Sequence, residues 1–207
     1  LKSKHQGGLS QLNGEVGKHW GNNGNVMAMR TLLPDKTGVV QSTIPVTAYG
    51  DMDNPFTPLL AEQAPFPVGM ELKQLLMLAI TKNPERGYFT YNPDTDKTEL
   101  HFDRSQMELS RKAMGHFVEK LNQHNGGALE REFYFNGTGF GDDFTYHPLG
   151  GAVLGLASDT FGRLKGYDRL YCLDGSMIPG FSCCANPALT IAAIAERNME
   201  TILAEDI

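Results

Sequence analysis

The sequence predicts a mixed fold of strands and helices, in the α+β or α/β class, and two stretches carry this prediction. Residues 88–102 have the sequence YFTYNPDTDKTELHF, in which two alternating apolar runs flank a turn-forming segment, the pattern of a β-hairpin. Near the C-terminus, RLYCLD at 169–174 is a short apolar strand, and the loop after it leads into a helix from Pro187 to about Ala204. A strand, a loop and a helix in this order form a piece of an α/β fold.

A turn and two apolar stretches precede the hairpin. Residues 19–25, HWGNNGN, favour a turn because glycine and asparagine tolerate positive φ angles. The β-branched residues of 39–49, VVQSTIPVTAY, predict a strand. The stretch 70–80, MELKQLLMLAI, stays ambiguous, since its residue types favour a helix while its continuous apolar run suits a buried strand.

A helix and a further strand follow the hairpin. Ser105 and Glu108 have the spacing of a capping box, which predicts a helix start. The pattern after them places Phe117, Val118 and Leu121 on one apolar face of the helix. Gly126 and Gly127 are expected to end it. Residues 128–135, ALEREFYF, predict another strand.

The composition is that of a globular chain with a core. It has 207 residues, 41% of them hydrophobic, and a net charge of -6 with both signs interspersed, which argues against a nucleic-acid partner. No segment approaches the roughly 20 apolar residues of a spanning helix, so we expect a soluble chain, secreted or cytoplasmic. Because it starts at Leu1 in sequence typical of a protein interior, we expect a fragment. Three cysteines without framework spacing predict buried free thiols.

The most distinctive motif is TYHPLGG at 145–151. Proline after His147 holds this histidine in an extended conformation, and Gly150 and Gly151 let another backbone or a flat ligand approach closely. A buried structural histidine and a functional one explain the motif equally well.

Three further polar residues have both a structural and a functional interpretation. Asn186 before Pro187 can simply cap the C-terminal helix, but the apolar first turns predict a buried helix N-terminus, which suits an anion or developing negative charge. Glu71 is either a solvent-facing carboxylate or one in an apolar pocket, with raised basicity. Asp174, at a strand end, is either a turn residue or a cofactor contact.

Taken together, several segments resemble the C-terminal portion of bacterial cholesterol oxidases, FAD-dependent sterol oxidases of the glucose-methanol-choline oxidoreductase class. In chain order they are HWGNNGN, QSTIP, GMEL, LAITKNPERGYFTY, DDFTYHPLGGAVLG, DTFGR, YCLDGSMIPG and NPALTIAAIAERNMETI. The chain departs from the family at Ala188, where an aromatic residue is common, and at FSCCA, which replaces a smaller loop.

The resemblance implies roles for single residues. His147 matches the histidine that hydrogen-bonds the substrate hydroxyl, Asn186 the asparagine beside it, and Glu71 the carboxylate that acts as a base. It implies flavin contacts at Asp174, Gly175, Asn186, Pro187 and Ala188. It implies substrate contacts at Met70, Phe144 and Tyr146, and it implies no metal.

The resemblance also implies a division of the chain. Residues 1–26 and 162–207 would belong to a Rossmann-like FAD domain, and 27–161 to an antiparallel substrate-binding domain in which 70–80 is a strand. The glycines of GTGFG at 137–141 do not fit the GxGxxG fingerprint, since the third comes one position early. We therefore expect the adenylate-binding half of the FAD site on a separate N-terminal segment, and an isolated chain without activity.

The implied activity is oxidation of the 3-hydroxyl of a cholesterol-like sterol to the ketone, with isomerisation of the double bond and reduction of O2 to H2O2. The expected partners are a sterol or another hydrophobic alcohol, O2, the N-terminal FAD-binding half and, transiently, a membrane surface. Two alternatives stay open: another alcohol oxidase or dehydrogenase of the same class, and a catalytically silent lipid-binding fragment.

Overall fold

The computed structural model describes residues 1–31, 48–63, 74–124 and 145–206, and within them the main sheet is antiparallel. A short helix, α1, precedes the sheet, at Lys2–His5. The strands of the sheet are β1 (Asn25–Thr31), β2 (Ala48–Asp51), β3 (Leu59–Gln63) and β4 (Gln74–Thr81). Their spatial order is β1-β4-β3-β2. The α+β character that the sequence predicts is confirmed.

Strand β4 lies inside the sheet, and its apolar run follows from this position. It pairs with β1, where Asn25 faces Ile80, and with β3, where Leu59 faces Thr81. Consecutive residues from Met77 to Thr81 are buried, so both faces of this strand are covered. Such a strand is continuously apolar instead of alternating. The ambiguous stretch 70–80 is therefore a strand over its described part, as the resemblance implies.

The predicted hairpin is confirmed. Strands β5 (Tyr88–Asn92) and β6 (Lys97–His101) pair antiparallel, with Tyr88 opposite His101 and Asn92 opposite Lys97. The hairpin is joined to the turn at 19–25 by a bridge between Trp20 and Gly87 and by an edge-to-face contact of Trp20 with Phe89. This attachment places aromatic side chains beside the segment that carries His147.

Helix α2 (Glu108–His124) follows a single 3-10 turn at Arg104–Met107. The capping box predicted at Ser105 and Glu108 is wrong, because the chain turns earlier. Asp103 has an extended backbone and accepts a hydrogen bond from the Ser105 backbone N–H at 2.7 Å, while Gln106 Oε1 accepts one from the Asp103 backbone N–H at 2.6 Å. The 3-10 turn thus takes the cap, and α2 continues from it.

The main core lies between α2 and the sheet. The predicted apolar face of α2 is confirmed, since Phe117 and Val118 are buried and Leu121 packs against them. From the sheet side, buried residues of three strands complete the cluster: Val26, Ala28, Leu59, Ala61, Met77 and Ala79.

The C-terminal region is irregular up to helix α3 (Ala188–Glu205), with one 3-10 turn at Gly175–Met177. The strand predicted at 169–174 is reduced to a single bridge between Tyr171 and Arg163. The expectation of a buried start of α3 is also wrong within this chain, because Leu189 is 82% exposed. The described residues bury α3 on one side only, at Asn198 and Ile202.

Some expectations are corrected and others lie outside the described residues. All three thiols are free, as predicted, but Cys183 is exposed and Cys172 and Cys184 are only half-buried. The part of the predicted strand before Ala48, the predicted strand at 128–135 and the GTGFG loop lie outside the described residues, as do Met70, Glu71 and Phe144. None of the helices in the described ranges has the length and apolarity that a bilayer crossing requires.

Candidate active site

The turn at 19–25 buries three asparagines where it enters β1. His19, Asn23 and Gly24 have φ angles of 59°, 58° and 61°, the left-handed conformations that the composition of the turn predicts. A Cβ at Gly24 would collide with Thr81 of β4, so only glycine fits there. The buried asparagines of this turn are Asn22, Asn23 and Asn25.

The segment that carries His147 runs directly beside this turn. Leu149 and Gly21 exchange two backbone hydrogen bonds, at 2.9 and 3.0 Å. Gly150 has a φ of 85°, and a Cβ on it would collide with the carbonyl of His19. The close approach of another backbone is thus a reason for glycine at position 150.

His147 is half-buried and held from several sides. Its backbone N–H donates to Thr145 Oγ1 at 2.8 Å. Its Nδ1 lies 3.4 Å from the side-chain amide nitrogens of both Asn23 and Asn25. Burial lowers the pKa of the imidazole below its ordinary value, so the ring is neutral at pH 7. A neutral imidazole can hydrogen-bond an alcohol without adding charge to the site.

A cavity of about 550 Å³ lies next to His147. This volume is in the range of ligand-binding pockets, roughly 300 to 1,000 Å³. Trp20, Phe89 and Ile191 give the cavity apolar and aromatic walls. Six of the site residues that the resemblance implies line it: Tyr146, His147, Asp174, Gly175, Pro187 and Ala188. The structure therefore brings the predicted histidine together with most of the predicted flavin contacts.

Asp174 is charged and fixed in its turn. Burial by itself would raise the pKa of its carboxyl, but hydrogen bonds from Ser176 and Cys172 together outweigh burial and hold the pKa below its ordinary value. The Ser176 backbone N–H and hydroxyl donate to Asp174 Oδ1 at 2.9 and 2.6 Å. Asp174 thus acts both as a turn residue and as a carboxylate on the cavity wall.

Asn186 does not cap α3, contrary to its structural interpretation. Pro187 occupies the cap position without a side-chain hydrogen bond, and Asn186 Nδ2 instead donates to Glu62 Oε1 at 2.6 Å. Asn186 is exposed and lies one residue before the cavity wall at Pro187. The side chain is free for this contact because proline already has the backbone angle that starts a helix.

Glu62 is a functional candidate that sequence reasoning missed. It is half-buried on β3 of the main sheet, and its carboxylate contacts Asn186, which lies two residues before the start of α3. In the sequence PLLAEQAP, Leu59 and Ala61 alternate with Leu60 and Glu62, so the strand period assigns Glu62 to the face opposite the core. That signal gives the face of the sheet, but not the contact with Asn186.

The cavity fits the FAD that the resemblance implies. Aromatic and apolar side chains of Trp20, Phe89 and Ile191 suit a flat ring system. Ala188 opens an 18-residue helix, and a helix N-terminus favours negative charge near it. Asp174, Gly175, Pro187 and Ala188 are the residues of this chain that would hold the group. Within the described part of the chain, no three His, Cys, Asp or Glu side chains form a group suited to a metal ion.

A sequence model of the family described as "GMC oxidoreductase, C-terminal" matches residues 23–136. The match begins at Asn23 in the buried turn, runs through the main sheet, the hairpin and α2, and covers more than half of the chain. This finding supports the class that the resemblance implies, and does not by itself select a sterol substrate. The chain therefore belongs to the C-terminal family of the GMC oxidoreductases, which are typically FAD-dependent alcohol oxidoreductases.

Proposed function

We propose that this chain carries the substrate-side catalytic residues of an FAD-dependent sterol oxidase. The observation that carries the proposal is the single cavity shared by His147 and the four residues that would hold the flavin. A second observation favours a hydrophobic alcohol over a sugar or a small polar alcohol. Trp20, Phe89 and Leu149 line the cavity together with His147, and their side chains offer few hydrogen-bond partners to a polyol.

In the proposed reaction, a secondary alcohol loses its hydroxyl proton and a hydride from the same carbon, and a carbonyl forms. FAD, when bound, supplies the hydride acceptor. His147 orients the alcohol oxygen, because its neutral ring offers one nitrogen to the cavity side while Nδ1 faces Asn23 and Asn25. This positioning accounts for how one histidine without a metal-ligand partner can serve the reaction.

The carboxylate of the site is proposed from two positions. Glu62 Oε1 accepts a hydrogen bond from Asn186 at 2.6 Å, one residue before the cavity wall at Pro187, so we propose Glu62 as one candidate. Glu71 remains the position implied by the resemblance. In either case the carboxylate would take a proton from C4 of a 5-ene-3-ketone and return it to C6, which moves the double bond into conjugation.

The remaining partners are proposed with the substrate. Molecular oxygen would be the final electron acceptor and hydrogen peroxide the product. The adenylate end of FAD would be bound by a separate N-terminal segment, and the sterol would enter from a membrane surface. These proposals follow from the sterol-oxidase assignment and are tested with it.

The test uses the FAD-loaded full-length flavoprotein that contains this chain. Cholesterol, its saturated analogue cholestanol, a primary long-chain alcohol and glucose are each mixed anaerobically with the protein, and loss of the oxidised flavin absorbance is followed. We expect both sterols to bleach the flavin, and peroxide to appear when oxygen is readmitted. Bleaching by glucose or the primary alcohol but by neither sterol would contradict the proposed substrate. Bleaching by sterols without peroxide would identify a dehydrogenase of the same class.

A further inference from the structure

We infer that Asn23 and Asn25 are positioning residues that fix the tautomer of His147, with the ring hydrogen on Nε2. Both amide nitrogens lie 3.4 Å from His147 Nδ1, and both asparagines are buried, with exposed fractions of 0% and 1%. Neither residue was singled out as more than a turn former by the sequence. The inferred effect on catalysis rests on the proposed function. The inferred tautomer of His147 does not depend on that function.

The orientation of each amide is set by a backbone donor. Asn25 Oδ1 accepts the Tyr146 backbone N–H at 3.1 Å, so the other end of the amide, the NH2 group, is the end that faces His147. A backbone N–H can only donate, so a flipped Asn25 amide would place two donors against each other.

Asn23 is oriented in the same way by a different segment. Its Oδ1 accepts the Ser182 backbone N–H at 2.7 Å, and its Nδ2 donates to the Ala185 carbonyl at 3.1 Å. The same Nδ2 lies 3.4 Å from His147 Nδ1, so its second hydrogen is available to that ring nitrogen. The Asn25 amide is thus oriented by the Tyr146 backbone N–H, and the Asn23 amide by the Ser182 backbone N–H. In both cases the NH2 group faces His147 Nδ1, so this ring nitrogen must accept.

An amide NH2 group has two donors and no acceptor, so the nitrogen that faces it must accept. His147 Nδ1 therefore carries a lone pair, and the hydrogen of the neutral ring is on Nε2. In the proposed reaction, His147 is therefore the donor of its hydrogen bond with the substrate: Nε2–H donates to the alcohol oxygen. The hydroxyl proton then has to go to a group other than His147.

The conformation of the loop at 182–185, before α3, affects the position of the Asn23 amide. Cys183 and Cys184 have φ angles of 52° and 63°, in the left-handed region that residues other than glycine, asparagine and aspartate rarely adopt. Ser182 and Ala185, on either side of them, both hydrogen-bond Asn23. The backbone at 182–185 thus determines where the amide of Asn23 points, in addition to leading the chain into Asn186 and α3.

The tautomer can be measured directly by two-bond 1H–15N correlation of the histidine rings in 15N-labelled protein at neutral pH. The chain has six histidines. The ring signals that are missing from the spectrum of the His147→Gln variant belong to His147. We expect a pyridine-type Nδ1 and a pyrrole-type Nε2 for His147. A pyrrole-type Nδ1, or a doubly protonated ring, overturns the inference whether or not the protein oxidises alcohols.

A variant of each asparagine tests its part. Asn25→Asp keeps the size and the acceptor for Tyr146 but presents an oxygen to Nδ1. We therefore expect a hydrogen on Nδ1, either in the other neutral tautomer or in the imidazolium that a carboxylate favours. Asn23→Asp should shift the same equilibrium and tolerates the left-handed backbone. Asn83→Asp is the matched control, because Asn83 is also buried, accepts a backbone N–H from Glu85 and is not in contact with His147. A folded Asn25→Asp protein with an unchanged tautomer would remove Asn25 from the inference. If Asn25→Asp does not fold, the wild-type spectrum and Asn23→Asp decide.

The catalytic consequence has a separate measurement. In the FAD-loaded enzyme we expect Asn25→Asp to lower kcat for alcohol oxidation at least about tenfold at neutral pH, with a smaller change in KM, since a misplaced ring hydrogen impairs the reacting geometry more than substrate binding. Wild-type kcat in a variant whose tautomer has switched would overturn the donor role of His147. An enzyme that oxidises no alcohol would contradict the proposed function. The tautomer of His147 would then still be decided by the 1H–15N spectrum.

Discussion

At the scale of single residues, the site depends on what surrounds one neutral histidine. His147 has no metal-ligand partner and no carboxylate among its hydrogen bonds in the described structure; its contacts are Thr145, Asn23 and Asn25. Amide and hydroxyl neighbours leave the ring uncharged, whereas a carboxylate at Nδ1 would favour the imidazolium. The residue therefore suits orientation of an alcohol more than transfer of charge.

Removing the imidazole should impair chemistry more than binding. In the FAD-loaded enzyme, His147→Ala is expected to lower the rate of flavin reduction by alcohol at least roughly 100-fold, the usual scale for a positioned acid or base. The apparent substrate affinity should change much less, because apolar walls supply most of the contact area. Stopped-flow measurement of flavin absorbance over a range of substrate concentrations separates the two effects. Unchanged reduction kinetics would assign His147 a structural role.

The two candidate carboxylates can be separated by matched variants. Glu62→Gln and Glu71→Gln each keep the side-chain volume and remove the base. The variant that lacks the isomerising carboxylate should still oxidise cholesterol and should release mainly the unconjugated 3-keto-5-ene product. Chromatography with ultraviolet detection distinguishes the products, because only the conjugated enone absorbs strongly. Conjugated product at the wild-type rate from both variants would exclude both residues as the isomerising base.

The lowered pKa of His147 predicts a pH dependence of stability. In the unfolded chain the ring has a pKa near 6.5, and burial in the fold lowers it. Between the two values the unfolded state binds more protons, so the free energy of unfolding decreases as the pH falls below about 6.5 and stops decreasing for this reason below the folded-state pKa. Urea unfolding across this range should show a shallower slope in His147→Gln. An equal slope in both proteins would contradict the burial of the ring.

At the scale of elements, helix α2 and the main sheet form the support of the site. Strand β1 begins with Asn25 and pairs along β4, so the asparagine next to His147 is attached to one of the two interior strands of the described sheet. Helix α2 covers the same sheet through Met114, Phe117 and Val118. The main sheet thus supports the turn that contacts His147, and Pro187 and Ala188 line the cavity beside it.

Helix α2 should show a large difference between its two faces. Met114 is fully buried in the core, and Met114→Ala is expected to lower the free energy of unfolding by about 2 to 5 kcal/mol. Leu109, on the same helix, is 51% exposed, and Leu109→Ala should change the stability by about 0.5 kcal/mol or less. Chemical denaturation of the two variants measures both values. Similar losses would contradict the packing of α2 against the sheet.

At the scale of the whole molecule, we propose that the chain supplies one side of a cofactor site. The start of α3 is exposed at Ala188 and Leu189, although Ala188 lines the cavity. The sequence contains no glycine fingerprint for an adenylate, since GTGFG has the wrong spacing. We therefore expect the residues that would hold FAD, which line one cavity, to leave its adenylate part unbound.

This grouping predicts how the 207 residues behave by themselves. We expect them to purify without a flavin spectrum and to oxidise no sterol, because apolar contacts at one end of the cofactor leave its charged end unbound. Absorbance at the flavin bands after purification with added FAD measures the occupancy. Stoichiometric FAD in these residues alone would show that the cavity suffices for binding. Addition of a nucleotide-binding N-terminal segment should restore colour and sterol-dependent bleaching.

The sequence by itself determined the hairpin at 88–102, the buried face of α2 and the membership in the GMC class, as well as the motif that contains His147. It also predicted the turn at 19–25 from its glycines and asparagines. These features depend on residues that are close in the chain, where turn chemistry and the period of apolar residues act. The cap of α2 shows the limit, because a 3-10 turn shifted it by two residues relative to the expected pattern.

Only the tertiary structure decided which polar groups meet in the site. Asn25 and His147 are 122 positions apart, and Glu62 and Asn186 are 124 apart, so no local pattern reports their hydrogen bonds. The strand period assigned Glu62 to the face away from the core, but the position of Asn186 relative to that face depends on how the loop before α3 folds. Likewise the asparagines of the turn became partners of a histidine because Gly21 pairs with Leu149. Long-range backbone pairing, which the sequence does not encode in any short window, selected these contacts.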